Sequence, residues 1–503
     1  MRVKACVLMG LVLALAAPLA GQNLAEFEKS VTERTLANGM KFIIVERHTV
    51  PVVSLWLHAD VGSVDDYPGN SGLAHLFEHM AFKGTSDIGT KDIGQEKAAM
   101  ARVDETYHAW AAERHKGERA DPEKLEQLEA AFRQAQEEAD KFVESNEFSQ
   151  AIEGNGGVGL NAGTASDYTV YFFSLPSNKL ELWFSLESAR FVDPVFREFY
   201  KERDVVREER RLRVESQPIG KLVEEFLAMA YKAHPYGRSG VGWTSDLENI
   251  TRESAERFFR EYYIPRNLTA VIVGDVDPKE AIRLAETYFG RIAAAPASEP
   301  VWTAEPEQEG ERRARVYAQS QPILVVGYHK PSIGHGDNAV LDAVQDVLAG
   351  GRTSRFYRSL VQDKKLAVAA GGFPGFPGEK YPNLFLFFSV AAAGHNNDEN
   401  EKAMLEEIEK LKSELISEEE LERVKRRARA QFVQQLSSNS GLAGQLAYYQ
   451  VLTGDWRTLF RQLDAIDKVT REDVQRVARA YFTDRNRTVA HLDPDTAPAQ
   501  GEE

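Results

Sequence analysis

Apolar residues recur along this chain in two patterns: short runs rich in β-branched and aromatic side chains, and longer stretches with an apolar position every three or four residues. The first pattern is typical of strands and the second of helices packed on a core. Residues 39–46 and 52–61 are predicted to form neighbouring strands. Further strands are predicted at 169–175 and 268–273, and amphipathic helices at 179–191, 198–214, 222–231 and 252–262.

A similar order of elements returns after a linker rich in proline and glutamate, residues 294–312. This repetition predicts an α+β fold of two similar domains, each an antiparallel or mixed sheet packed with helices. We place the domains at residues 24–293 and 313–497. In the second domain, strands are predicted at 322–328, 384–390 and 488–492, and helices at 337–348 and 354–362.

One stretch of the first domain, residues 97–146, consists almost entirely of helix-forming and charged residues. Asp121 and Pro122 suit the start of a second helix there, as N-cap and first helical residue. We therefore expect a helical-hairpin insertion that projects from the domain. It could recruit a partner or gate a cleft, and the alternative is a solvated structural excursion.

Composition and charge narrow the class of protein. The 503 residues carry a net charge of −16, which argues against a nucleic-acid-binding protein. Residues 1–20 combine a basic start, a short apolar run and small residues near the end, which predicts a signal peptide. The single cysteine, Cys6, lies within it, so the mature chain would have no thiol, as suits an oxidising compartment. We expect export to a bacterial periplasm, with no membrane-spanning segment.

The candidate chemistry lies in the pentapeptide His75-Leu-Phe-Glu-His79. Because a helix advances about 100° per residue, His75 and His79 project within roughly 40° of each other and can bind one ion. Glu78 lies beside them, placed to act on a water molecule as a general base. His-x-x-Glu-His is the inverted form of a zinc-protease helix motif. The pattern predicts one Zn²⁺ per chain, and the alternative is two helix-face histidines near an acid by chance.

These three residues, with Gly72-Leu-Ala before them and Phe82-Lys-Gly-Thr after them, resemble the pitrilysin/insulinase family of inverzincin metallopeptidases. The resemblance is to the two-domain type found in bacteria and in processing peptidases. It extends to residues 161–164, 202–209, 234–237 and 263–275. It implies a zinc-dependent endopeptidase that hydrolyses peptide bonds of oligopeptides or unfolded polypeptides.

The family completes its zinc site with a glutamate from a later helix, supported by a second glutamate seven residues earlier. Glu202 and Glu209 have this spacing, so the resemblance implies Glu209 as the third ligand and Glu202 as its support. Glu208 is seven residues after Lys201 instead and points about 100° away, as suits a surface ion pair. By the same likeness Asn161 and Ala162 hold an extended peptide on an edge strand. The alternative there is a Gly/Asn bulge without a ligand.

The chain departs from the family at an Arg and a Tyr that active members use to hold the substrate. Aligned on Leu360, these positions are Val361 and Val368, whose side chains donate no hydrogen bond. Either Arg358 and Tyr357 substitute from a shifted register, or another chain supplies the pair.

We favour a second chain, which predicts the zinc-bearing subunit of a heterodimer with a homologous zinc-less subunit, or a homodimer. The alternative function is a non-catalytic core or structural subunit, against which the retained ligands and Glu78 argue. A mitochondrial presequence-processing subunit would need a targeting segment rich in Arg and Ser, and residues 1–20 are apolar instead.

Overall fold

Two mixed β-sheets organise residues 24–495, the part of the chain that the structure, a computed structural model, describes. The predicted signal peptide lies outside the described residues. The strands of the first sheet are β1 Val31–Thr35, β2 Lys41–Glu46, β3 Val52–Ala59, β4 Val158–Thr164, β5 Thr169–Pro176 and β6 Leu268–Gly274. Those of the second are β7 Arg312–Ala318, β8 Ile323–Lys330, β9 Ala367–Phe376, β10 Asn383–Ala391 and β11 Arg487–Pro494.

Helices cover the sheets, which confirms the predicted α+β class. In the first half they are α1 Leu24–Glu28, α2 Leu73–Met80, α3 Ile93–Arg114, α4 Pro122–Asp140, α5 Glu147–Glu153, α6 Leu180–Val192, α7 Phe199–Arg210, α8 Pro218–Ala230, α9 Thr244–Leu247, α10 Arg252–Tyr262 and α11 Pro278–Tyr288. In the second they are α12 Asn338–Ala349, α13 Asn397–Ser413, α14 Glu418–Leu436, α15 Asn439–Thr453, α16 Thr458–Lys468 and α17 Arg471–Tyr481. Two segments are π-helical, Arg211–Glu215 and Tyr357–Asp363. Within residues 24–495, no helix combines the length and apolarity that crossing a membrane requires.

The two sheets share one topology, as the repeated order of elements predicts. The first has the order β1-β2-β6-β3-β5-β4 and the second β7-β11-β8-β10-β9. Without β1, both begin with a parallel pair and continue with three antiparallel pairs. The two halves are therefore structural repeats, while the domain boundaries at 24–293 and 313–497 stay predictions.

The prediction that the first two long strands are neighbours is wrong. Strand β6 lies between β2 and β3, parallel to the first and antiparallel to the second. All seven residues of β6 are buried, so it needs a partner on both edges and a covered surface on both faces. Strand β6, from far along the chain, thus separates two strands whose closeness in sequence had suggested a hairpin.

Each half contributes a helix that covers the other half's sheet. Helix α15 packs Leu442 and Leu446 against Val271 of the first sheet. In the opposite direction, α8 packs Phe226 against Val325 of the second sheet. The sheets therefore have two apolar faces each, one covered from within the same half and one by the other half.

The helical insertion does not project as expected. Helix α3 packs on the body of the first half, and the ring centroids of Tyr107 and Tyr200 on α7 lie 4.3 Å apart. The ring centroid of Phe132 on α4 lies 5.3 Å from that of Tyr200. A short apolar stripe among the charges accounts for this packing. The predicted helix start is confirmed, since the Asp121 carboxylate accepts hydrogen bonds from two backbone N–H groups of α4. The bounds 97–146 stay a prediction.

The exchange of helices predicts a large effect of substitution at the contact of α8 with the second sheet. Phe226 is fully buried, and its ring lies so close over Gly327 that a Cβ there would meet it at 2.5 Å. We expect Phe226→Ala to lower the free energy of unfolding by about 3–5 kcal/mol, measured by urea titration with circular dichroism. Ile219, exposed on the same helix, provides the control, and Ile219→Ala should stay within about 0.5 kcal/mol of the parent. Equal losses in the two variants would contradict this assignment.

Candidate metal centre

Helix α2, which carries the pentapeptide, begins at a position that only glycine fits. Gly72 is its N-cap, with φ of +94°. A Cβ there would lie 2.6 Å from the carbonyl oxygen of Val241. The carboxylate of Asp66 accepts hydrogen bonds from the backbone N–H groups of Gly72 at 2.7 Å and Ala74 at 2.9 Å. These contacts fix the start of α2 and hence the direction of its two histidines.

The structure brings His75, His79 and Glu209 together. The two imidazole rings are nearly perpendicular, at 89°, with centroids 5.1 Å apart. Glu209, in the last turn of α7, places Oε2 3.7 Å from His75 Nε2 and Oε1 3.6 Å from His79 Nε2. The Oε2 atom is buried and accepts no hydrogen bond, and it lies 3.3 Å from Arg213 Nη1 in an ion pair.

This donor set fits a zinc ion. The separations are too long for hydrogen bonds but close to the roughly 3.3 Å between ligands that each lie about 2.0–2.1 Å from one tetrahedral ion. Two imidazoles and one carboxylate also leave a fourth position free for substrate or water. The roles of His75, His79 and Glu209 as ligands stay predictions that this geometry supports.

The alternative ligand, Glu208, does not reach the centre. Its side chain is 52% exposed and pairs with Arg211 at 2.5 Å. The Glu209 side chain is 24% exposed and faces the two imidazoles. The difference follows from the helix, since neighbouring residues point about 100° apart.

Glu202 lies behind His79, one contact away from the candidate ion position. Its Oε2 lies 3.2 Å from His79 Nδ1, and its Oε1 lies 2.6 Å from the Lys83 ammonium. Burial alone would raise the pKa of Glu202, but the hydrogen bonds from His79 and Lys83 lower it below the ordinary value. An ionised Glu202 favours the tautomer of His79 that carries its proton on Nδ1 and offers Nε2 to a metal.

The two histidines have opposite electrostatic surroundings. Burial, the neighbouring His79 and Arg213 lower the pKa of His75 to about 4, so this ring is neutral near pH 7. Burial also acts to lower the pKa of His79, but the hydrogen bond to Glu202 and the carboxylates of Glu209 and Glu78 raise it overall. A cation between these groups would offset the negative charge of the carboxylates around His79. Neutral imidazoles and an ionised carboxylate are also the protonation forms that bind metals.

Glu78 lies near the same group of residues, since the charges of His79 and Glu209 both act on its pKa. Burial raises the pKa of Glu78, while a 2.7 Å hydrogen bond from the Thr164 hydroxyl acts to lower it. Sequence reasoning did not assign a role to Thr164, although it ends the 161–164 motif. Lys83 was likewise quoted only as part of the Phe-Lys-Gly-Thr stretch.

Asn161 and Ala162 lie on β4, the edge strand of the first sheet. The pairing of β4 with β5 is irregular between Val158 and Asn161, so the bulge named as the alternative is present. The Ala162 N–H donates to the Asn161 side chain at 2.9 Å. The outer edge of β4 is thus open to an additional strand, and substrate binding there stays a prediction.

Within the described residues, no hydrogen bond or ion pair joins the second half to the candidate centre. The hydrogen bonds and ion pairs of the Glu78, His75, His79 and Glu209 side chains all end on residues between 75 and 213. Val361 packs partly buried against the second core, and Val368 is exposed on β9. Of the possible substitutes, Arg358 is exposed and Tyr357 is half-buried in the π-helical segment.

Two family models match the chain. The model described as Insulinase (Peptidase family M16) matches residues 41–106 and 136–242, which include all the residues of the candidate centre. The model described as Peptidase M16 inactive domain matches residues 249–428. The match to the first model leaves out 107–135, most of the helical insertion.

Several named proteins and solved structures are also similar to this chain. The chain is 29% identical over 500 residues to a Helicobacter pylori protein named Zinc protease PqqE, covering 96% of this chain and 97% of the relative. It superposes on a protease from the same organism with a TM-score of 0.78 at 27% identity, covering 92% and 99% of the two chains. The first half of the periplasmic protease PqqL from Escherichia coli gives a TM-score of 0.68 at 17% identity, covering 92% of each chain, and shows the fold alone.

The register of α7 predicts which glutamate binds a metal. We expect Glu209→Gln to weaken Zn²⁺ affinity by more than about a hundredfold, because it removes an anionic ligand. Glu208→Gln, a matched change one residue away, should leave affinity unchanged. Competition with a chromophoric chelator measures both. If Glu208→Gln were the variant that lost zinc, the assignment would be wrong.

Proposed function

Since the chain belongs to the insulinase family of M16 peptidases, we propose that it is a zinc-dependent endopeptidase acting on oligopeptides or unfolded polypeptides. The observation that carries the proposal is the convergence of His75, His79 and Glu209, with Glu78 beside them. A core or structural subunit, the alternative, needs neither this donor set nor a half-buried acid next to it.

The chain's own residues account for the acid–base chemistry. When bound, zinc would supply Lewis-acid catalysis, acidifying water and polarising the peptide carbonyl. Glu78 takes a proton from the attacking water and passes it to the leaving amine. Burial raises the pKa of Glu78, which makes it easier for the carboxylate to take up a proton. The Thr164 hydroxyl holds the carboxylate in place.

The edge strand supports a preference for extended substrates. A peptide that adds to β4 by backbone pairing must itself be extended, which folded proteins rarely offer. In this proposal Asn161 and Ala162 hold the substrate backbone alongside α2, which packs against β4. Specificity for particular side chains would then come from the surfaces around that strand.

The protein would act outside the cytoplasm, in the periplasm of a bacterium. The pattern of residues 1–20 supports this placement.

The active site would be completed by a second chain. By the family likeness, Val361 and Val368 take the positions of the residues by which active members hold substrate, and no hydrogen bond or ion pair of the four side chains of the centre reaches residues 214–495. We therefore propose the zinc-bearing subunit of a heterodimer with a homologous zinc-less subunit, or a homodimer.

The experiment that tests the activity compares Glu78→Gln with the parent chain. We expect the variant to keep one Zn²⁺ per chain and to lose more than about a hundredfold of its peptidase rate, because general-base catalysis contributes about 10²–10⁴-fold. Metal analysis and cleavage of a quenched fluorescent peptide measure the two quantities. Retained activity would remove Glu78 from its role.

Thr164→Val tests the role of Glu78 in a second way, through the pH dependence of the peptidase rate. Loss of the hydroxyl removes a hydrogen bond that lowers the pKa of Glu78, so that pKa rises. Because the base must be ionised to act, the acidic limb of kcat/KM should move to higher pH, with zinc content unchanged.

The heterodimer predicts that a partner raises activity. We expect co-expression with a zinc-less homologue from the same host to increase the peptidase rate per bound zinc and to yield a joint peak in size-exclusion chromatography. A rate unchanged by the partner would refute the heterodimer without affecting the zinc assignment. A chain that is dimeric and active alone would favour the homodimer.

A further inference from the structure

The helix that carries Glu209 starts at a residue with unfavourable backbone geometry. Glu198 is the N-cap of α7 and has φ of +54°. In residues 24–495, only Asn146 and Lys365 share a positive φ among non-glycine residues. The left-handed region brings Cβ close to the following carbonyl, so glycine or asparagine is the usual choice there.

The side chain of Glu198 does not serve the helix end. It makes no capping hydrogen bond to α7. Its carboxylate instead lies 2.9 Å from the Lys83 ammonium and 3.2 Å from that of Lys201. Aspartate or asparagine would cap the helix better but is one methylene shorter. Glutamate is long enough to contact Lys83, whereas glycine, asparagine and aspartate, which suit this helix start better, are shorter.

Lys83 connects the two helices that carry the candidate ligands. It follows α2 by three residues, and its backbone N–H donates to Met80 at the helix end. Its carbonyl accepts a hydrogen bond from Arg197, the residue before Glu198. Its ammonium bridges Glu198 and Glu202, and Glu202 contacts His79 Nδ1. A continuous chain of contacts thus leads from the N-cap of α7 to a candidate ligand on α2.

The balance of charge around Glu198 and Glu202 depends on Lys83. Its side chain is 20% exposed, and those of Glu198 and Glu202 are 14% and 16% exposed, so water screens these ion pairs weakly. Arg213, the cation beside Glu209, is 65% exposed and screened more strongly. Without Lys83, two adjacent glutamates would face each other with little screening, and Glu202 would lose the contact that fixes it.

We propose that Lys83 and Glu198 are positioning residues of the metal centre. Together they hold Glu202, and through it the ring of His79, in the orientation that presents Nε2 to the ion. The left-handed backbone at Glu198 is retained for this contact. The inference rests on the proposed function in one respect, that the centre binds zinc.

Substitutions at the two positions have distinct expected effects. Lys83→Met keeps the length of the side chain but removes its charge, and Zn²⁺ affinity should fall about tenfold, the lower end of the effect of lost supporting contacts. Lys83→Arg keeps the cation and should restore affinity to within about threefold of the parent. Glu198→Gly relieves the backbone, so the zinc-free chain should melt at the same or a higher temperature while Zn²⁺ affinity falls about threefold or more.

The test uses the full chain freed of metal. Chelator competition gives the Zn²⁺ affinity, the visible spectrum of the Co²⁺-loaded chain reports the geometry around the ion, and thermal unfolding gives the stability. Lys365→Gly is the matched control, since Lys365 also has φ of +54° and is exposed in the second half. It should raise the melting temperature and leave both metal readouts unchanged.

The outcomes separate this inference from the proposed function. A parent chain that binds no Zn²⁺ overturns both. A parent that binds Zn²⁺ while Lys83→Met matches it in affinity and in Co²⁺ spectrum overturns the inference alone. A Glu198→Gly variant that melts lower than the parent, or keeps full affinity, shows that the strained backbone is not retained for the contact.

Discussion

The outer face of each sheet is covered by a helix from the opposite half, and the metal centre depends on this exchange. Helix α8, which covers the second sheet, follows α7 after only the π-helical segment Arg211–Glu215. A Cβ at Gly220 would lie 2.7 Å from the Cα of Val214, so the start of α8 packs directly on that segment. Docking of α8 on the second sheet thereby fixes the end of α7, where Glu209 lies. Burial of apolar surface far from the candidate centre thus helps to hold Glu209 in place.

Electrostatics then determines what the centre can hold. Three carboxylates, those of Glu78, Glu202 and Glu209, surround two imidazoles. Lys83 offsets Glu202, and Thr164 binds Glu78. The Glu209 carboxylate remains between the imidazoles at distances too long for hydrogen bonds. A divalent cation would satisfy these donors together, whereas Arg213, which pairs with Glu209 Oε2 at 3.3 Å, is 65% exposed.

Sequence reasoning succeeded where the relevant geometry is local. The spacings 75/79 and 202/209 each lie within one helix, and the period of the helix alone places those side chains on a common face. The strands and amphipathic helices were predictable for the same reason. The order of β2, β6 and β3 was not, because pairing between residues more than 200 positions apart leaves no local pattern. The packing of the helical insertion was also hidden, since its few apolar positions are dispersed among charges.

The contacts of Lys83 and Thr164 were missed for a related reason. Lys83 meets Glu198 and Glu202 across more than a hundred residues, and the positive φ of Glu198 has no signature in its residue type. Thr164 lies 86 positions from Glu78. Motif reading identified both as neighbours of the site in sequence but could not tell what they touch. Supporting residues of a site are set by the fold, whereas ligands on one helix are set by spacing.

The structural repeat shows how the work is divided between the halves. Helix α12 follows β8 in the second half as α2 follows β3 in the first, but its residues Asn338–Ala349 include no histidine. Strand β9 is the edge of its sheet, as β4 is of the other, and there it exposes Val368. The second half therefore keeps the architecture without histidine on the helix that corresponds to α2, and it provides the surface on which α8 docks. The lack of hydrogen-bonding side chains at Val361 and Val368 is the physical reason to look for the substrate-holding pair on another chain.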